Sequence, residues 1–151
     1  MCDQRDKSTE DLEKVITKDV NTYDDFKMFL DRESINNKSY HEYMSELIYE
    51  KGYTKEQVYK KADISRSYGR KILGGETGIG MKKRDLIIRI SYVSDFQLYE
   101  VNRVLKLAGL SELYVKQPRD AALILAFNKN SVRSLDSLNE FLKELKFDTF
   151  D

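Results

Sequence analysis

A chain of 151 residues, 40% apolar and 34% charged, has an ordinary folded-domain composition with room for a real core. Its single cysteine (Cys2) and single histidine (His41) exclude an intramolecular disulfide, a zinc site of usual spacing and cysteine–histidine catalysis, and no apolar run is long enough for a membrane span. Net charge is zero but unevenly placed: residues 51–90 hold 11 Lys/Arg against 4 Asp/Glu (+7), whereas residues 1–36 hold 6 against 10 (−4). A local cationic excess of this kind is what a phosphate-binding surface requires.

The opening stretch MCDQRDKSTEDLEK is polar and lacks the apolar segment of a signal peptide, so a cytoplasmic location is expected. A first helix is predicted over about 22–34, with Thr22 as N-cap and Tyr23, Phe26, Phe29 and Leu30 on one face. A second is predicted near 40–51, with Tyr40, Tyr43, Met44, Leu47 and Ile48 at helical spacing and Gly52 as its stop. His41 falls on it and reads as a solvated helix residue.

Residues 53–75, YTKEQVYKKADISRSYGRKILGG, read as two short helices joined by a turn. Thr54 and Gln57 form a capping-box pair that opens the first, over about 55–62, whose buried side is Val58 and Ala62. Ile64 enters the core from the turn and Ser65 caps the second helix, over about 65–74. Ile72 and Leu73 anchor that helix, leaving Arg66, Ser67, Arg70 and Lys71 toward its other side, and Gly74 and Gly75 stop it.

Further helices are predicted over about 83–93 (Leu86, Ile87, Ile90, Val93) and from Asp95 to Ala108, ended by Gly109. Pro118 suits the first turn of a helix reaching about Asn128. Its apolar Ala121, Leu123, Ile124, Leu125 and Phe127 surround most of the circumference, which places it at the centre of the core. Asn130 or Ser131 starts the last turns, and a helix over about 135–146 carries Leu135, Leu138, Phe141, Leu142 and Leu145 as a narrow stripe. That stripe either closes a core or pairs with a second subunit. Strand-like alternation is nearly absent, so the fold class is all-α.

The segment around the turn resembles the XRE family, the DNA-binding domains of phage repressors and Cro-like regulators. The matching residues are Thr54, Glu56, Val58, the run Ile64-Ser65-Arg66-Ser67, Ile72 and Gly75, within a resemblance spanning about Tyr40 to Ala108. It implies a five-helix, lambda-repressor-like helix-turn-helix domain over 37–110. An acidic N-terminal arm and helix (1–36) would precede it, and a C-terminal helical region packing on it (111–151), serving as dimer or effector region, would follow. The stretch LKLAGLSELYVKQPRDAALILAFNKN is similar to a subgroup of such regulators in Gram-positive bacteria with an extra helical C-terminal region.

Carried over position by position, the resemblance puts base contacts on Arg66, Ser67 and Lys71. Arginine can fork onto guanine, and lysine can do the same less rigidly. Phosphate contacts fall on Lys55, Tyr68, Arg70, Lys82, Lys83 and Arg84, with Lys55 aided by the dipole of the helix it opens. Three positions depart from the family pattern: Tyr59 stands for alanine, Gly69 for a buried isoleucine or valine, and Asp63 for the turn glycine. The first two compensate if Tyr59 packs over Gly69, and Asp63 must take a left-handed backbone.

GGETGIGMKK fails as a phosphate loop, because no lysine directly follows its last glycine. The tyrosines sit mostly at apolar helical positions, which assigns them to the core. The carboxylates form no paired constellation, so an enzyme is not expected, nor a cofactor or metal. The expectation is a cytoplasmic, sequence-specific binder of double-stranded DNA, working as a homodimer, with a possible regulatory protein partner and no membrane. The alternative is an antirepressor- or adaptor-like interaction module on the same scaffold without DNA binding.

Overall fold

A computed structural model describes residues 38–75, 83–129 and 132–151; the expected helix over 22–34 lies outside the described residues. Seven helices are found among the described residues, and no strand: α1 (Tyr40–Glu50), α2 (Lys55–Lys61), α3 (Arg66–Leu73), α4 (Lys83–Val93), α5 (Leu98–Leu107), α6 (Pro118–Asn128) and α7 (Leu135–Glu144). The protein is all-α. Residues 39–151 form one compact unit, and helices on both sides of residue 110 share one apolar core. Among the described residues no helix is long and apolar enough to cross a membrane.

Local chemistry sets the helix ends. The Gln57 N–H donates to Thr54 Oγ1 at 3.1 Å and the Thr54 N–H donates to Gln57 Oε1 at 2.9 Å, the reciprocal cap that starts α2. Ser65 Oγ accepts the Tyr68 N–H at 3.1 Å and starts α3, and Ser134 does the same for Ser137 at the head of α7. Pro118 opens α6 at the position where its missing N–H costs nothing. Asp63 adopts φ 53°, as the turn requires.

The central helix is α4. Every residue from Leu86 to Val93 is buried, and α4 packs against α2, α5 and α7. Each fully buried Ile, Leu or Val there contributes roughly 1.5–3 kcal/mol. Ser91 is tolerated because its hydroxyl donates to the Ile87 carbonyl at 2.7 Å. The expectation that α6 holds the centre is therefore corrected: α6 buries Ala122, Leu123, Ala126 and Phe127, while Leu125 is 53% exposed. α5 also begins later than expected. Asp95 takes φ 63° just past the end of α4, so the chain turns there and regular helix starts at Leu98.

The stripe on α7 closes the core through Leu135, Leu138 and Leu142, with Phe141 half-buried and Leu145 exposed. Beyond α7 the chain folds back: Phe150 is buried, and Asn139 holds it by accepting its N–H at 2.7 Å and donating to its carbonyl at 3.0 Å.

Candidate nucleic-acid interface

The surface of interest is made by α2, α3 and the turn of residues 62–65 between them. On α3, Gly69, Ile72 and Leu73 face inward, so the helical period leaves Arg66, Ser67, Arg70 and Lys71 on the exposed side. Tyr68 sits at the edge of that side, 36% exposed. Lys55, at the start of α2, is exposed as well. Six of the nine residues expected to contact DNA thus share this pair of short helices.

Two features fix how α2 meets α3. The Tyr59 ring, buried on α2, lies against the bare backbone of Gly69; a β-carbon at Gly69 would fall inside contact distance of three ring atoms. Burial pushes the Tyr59 hydroxyl pKa up, Glu56 adds to the rise, and Arg70 and Arg66 oppose it, so both arginines lie within electrostatic reach of the ring. The second feature is an ion pair: Arg66 Nε donates to Glu56 Oε2 at 3.0 Å, with both side chains more than half exposed. An exposed pair of this kind is worth about 0–1 kcal/mol, so its consequence is orientation rather than stability. Glu56 engages Nε, and no hydrogen bond among the described residues occupies the two terminal nitrogens of Arg66.

Two of the other expected contacts, Arg84 and Lys83, do not belong to this surface. Arg84 has its guanidinium committed inside the fold: Nε donates to the Ser111 carbonyl (3.0 Å), and Nη2 to the Glu112 carbonyl (3.1 Å) and Asp120 (2.8 Å). Nη1 completes a two-pronged pair with Asp120 at 3.2 Å. The buried Asp120 also accepts the Tyr114 N–H at 3.0 Å, so Arg84 pins the connection between α5 and α6 and has little left for a phosphate. Lys83 lies half-buried with its ammonium 4.3 Å from the centre of the Tyr40 ring. Lys82 lies outside the described residues.

Other expectations fare unevenly. His41 is half-buried rather than solvated; its ring packs over Gly75 and edge-on to Tyr40, with centroids 5.6 Å apart. Tyr40, Tyr59 and Tyr92 are core residues, but Tyr49, Tyr99 and Tyr114 are exposed. Among the described residues no group of His, Cys, Asp or Glu could hold a metal ion.

Arg89 is not among the residues expected from the sequence. It is 7% exposed, and its Nε and Nη2 donate to the Ala62 and Asp63 carbonyls at 2.5 and 3.0 Å, clasping the turn from beneath. A lone arginine inside LIIRISYV was the available signal, since a charge on a helix apolar on every side must be buried with partners. No family model, curated protein or solved structure matches the chain.

Proposed function

We propose that the chain is a transcriptional regulator that binds double-stranded DNA sequence-specifically through α3, in the manner of the XRE family that residues 53–75 resemble. The observation that carries this reading is the face of α3. Arg66, Ser67, Arg70 and Lys71 stand exposed on one side of a capped helix whose other side is locked into the core. Such a face matches the donors that a major groove accepts, with arginine and lysine forking onto guanine and serine adapting to either base. In this reading Arg66, Ser67 and Lys71 meet base edges, while Lys55, Tyr68 and Arg70 meet the flanking phosphates. The fold is then of the lambda-repressor type, with the recognition helix held by the Tyr59–Gly69 contact.

One short recognition helix gives limited affinity, so the working form is a homodimer on a two-fold operator with half-sites about one helical turn apart. The protein acts in the cytoplasm and carries out no chemical reaction.

The test is fluorescence anisotropy against a mixed duplex library across a salt series, followed by selection of the retained sequences. Affinity should fall by about 0.9 log units per log unit of salt for each phosphate neutralised, and a palindrome should be enriched. Absence of binding at low salt by the folded protein overturns the reading.

The Glu56–Arg66 pair favours a second reading, because it neutralises one of the charges that DNA binding would use. In this alternative the scaffold serves as an antirepressor- or adaptor-like module that docks on another protein. Reversing charge at Arg66 and Lys71 separates the two: a DNA-binding role is abolished, and a scaffolding role is left intact.

A further inference from the structure

At the turn, residues 63–65 and the segment 147–151 enclose a half-open cleft of about 780 Å³ with Arg89 in its lining. Arg89 is unusual on two counts. It is 7% exposed, yet none of the ion pairs among the described residues includes it. Its two hydrogen bonds go to neutral carbonyls through Nε and Nη2, and Nη1 has no hydrogen-bond partner among the described residues. A buried cation is ordinarily matched by a counter-ion, because desolvation costs several kcal/mol per ion (roughly) and neutral acceptors return only part of it. Asp63 and Asp151 favour the charged guanidinium, but burial outweighs them. Nη1 therefore keeps an open donor in the lining of the cleft, where an anionic acceptor could meet it.

The rest of the lining says what kind of anion fits. Asp63, Asp85, Asp148 and Asp151 are also in it, and Asp85 is already paired with Arg119. A phosphate dianion would face several carboxylates against one guanidinium and be repelled. A single carboxylate joined to an ammonium satisfies both sets of charge. Ile64, Tyr68 and Phe147 provide an apolar wall for a side chain.

We propose that this cleft binds a small α-zwitterion with an apolar side chain, a free amino acid in chemical class, whose carboxylate pairs with Arg89 and whose ammonium faces Asp63 and Asp151. Arg89 holds two carbonyls of the turn that leads into α3, and Ser65, the cap of that helix, and Tyr68 within it line the same cleft. Occupancy therefore bears on the position of the proposed recognition helix. This last step rests on the DNA-binding reading, but the binding of the zwitterion does not.

The test is titration of the full-length protein with L-phenylalanine, L-leucine, L-isoleucine, L-valine and L-methionine, followed by amide chemical shifts in nitrogen-15-edited NMR spectra. Phenylpropionate (no ammonium) and phenethylamine (no carboxylate) are the half-matched controls. The ceiling is about 10 mM, above the roughly millimolar affinity expected of a site anchored by one charge pair at each end. At least one amino acid should give saturable shifts confined to residues 63–68, 86–89 and 147–151, and both controls should bind about tenfold more weakly or worse, one charge pair being worth about 1.4 kcal/mol. Asp63→Asn/Asp151→Asn should weaken binding about tenfold by the same conversion. Both positions are exposed, and asparagine tolerates the φ of 53° at residue 63, so this variant stays informative even if Arg89→Lys fails to fold. No saturable shift with any of the five amino acids, equal binding of phenylpropionate, or unchanged affinity in the asparagine variant overturns the proposal. Adding the bound amino acid to the DNA titration should shift the DNA affinity. Zwitterion binding without any DNA binding counts against the functional reading alone, and DNA binding without zwitterion binding counts against the cleft alone.

Discussion

The Tyr59 ring occupies the place that a side chain at Gly69 would take, so the two positions act as one packing unit across α2 and α3. Replacing Gly69 by alanine should gain about 1 kcal/mol of helix propensity and lose more to the clash, with overpacking costing typically about 1–3 kcal/mol. Tyr59→Ala should cost about 3–5 kcal/mol through the cavity it leaves. The double variant Tyr59→Ala/Gly69→Ala should cost less than the two losses summed, because removing the ring removes the clash. Urea unfolding of the four proteins measures the coupling, and strictly additive effects would show that the two residues do not share a space.

Glu56 holds Arg66 by Nε, which bears on the proposed recognition of DNA and on the base that Arg66 would read. Glu56→Gln should raise affinity for random duplex DNA, since one carboxylate leaves the phosphate-facing side, and should reduce discrimination at the base Arg66 reads. A good two-pronged contact is worth about 1–3 kcal/mol of discrimination, so the expected loss is a several-fold relaxation rather than its abolition. Parallel selections with the two proteins on one library give the comparison. Unchanged sequence preference would separate Glu56 from recognition.

Arg70 and Arg84 should behave oppositely although both are arginines near the cationic segment. Arg70→Ala should lower the salt dependence of DNA binding by about 0.9 in slope and leave stability nearly unchanged. Arg84→Ala should leave the slope unchanged and destabilise the fold by roughly 3 kcal/mol, because it strands the buried Asp120. Salt titrations and denaturant curves on both variants decide this, and a reduced slope for Arg84→Ala would return that residue to the interface.

Tyr59 makes the fold sensitive to alkali. Its folded-state pKa is raised above the ordinary 10.0, chiefly by burial. As pH rises through the unfolded value, the unfolded chain ionises while the folded chain stays protonated, so stability is full below that value and falls above it. Burial depresses Arg89 instead, which acts with the opposite sign as pH approaches its own lowered value. Comparing Tyr59→Phe with the parent cancels what the two share. The variant should lose less stability between pH 8 and about pH 10.5, as read from urea midpoints at the two values. An equal loss would show that Tyr59 is not the group responsible.

Much of the helical scheme and half of the candidate surface can be read along the chain, because the causes are local. The Thr54–Gln57 cap, the Ser65 cap, the position of Pro118 and the backbone at Asp63 depend on residues within one turn of one another. The inward Ile72 and Leu73 follow from the period of 3.6 and dictate which side of α3 carries Arg66 and Lys71. The Tyr59–Gly69 contact was legible too, since a large ring and a missing side chain at facing positions conserve volume.

Packing between distant segments decided the rest. Arg84 and Asp120 lie 36 residues apart, and nothing near either one marks the other as its partner, so an exposed phosphate contact and a buried clamp look alike in one dimension. The choice of α4 over α6 as the central helix turned on which apolar surface the neighbours cover, a property of the assembled helices. The fold-back of residues 147–151 onto Asn139, and the cleft it makes with Arg89, exist only once α4, α6 and α7 have docked. Local hydrogen bonding and periodicity act over a few residues and leave a pattern in the chain; desolvation and counter-ion pairing act through space, and their outcome appears only when the tertiary contacts are in place.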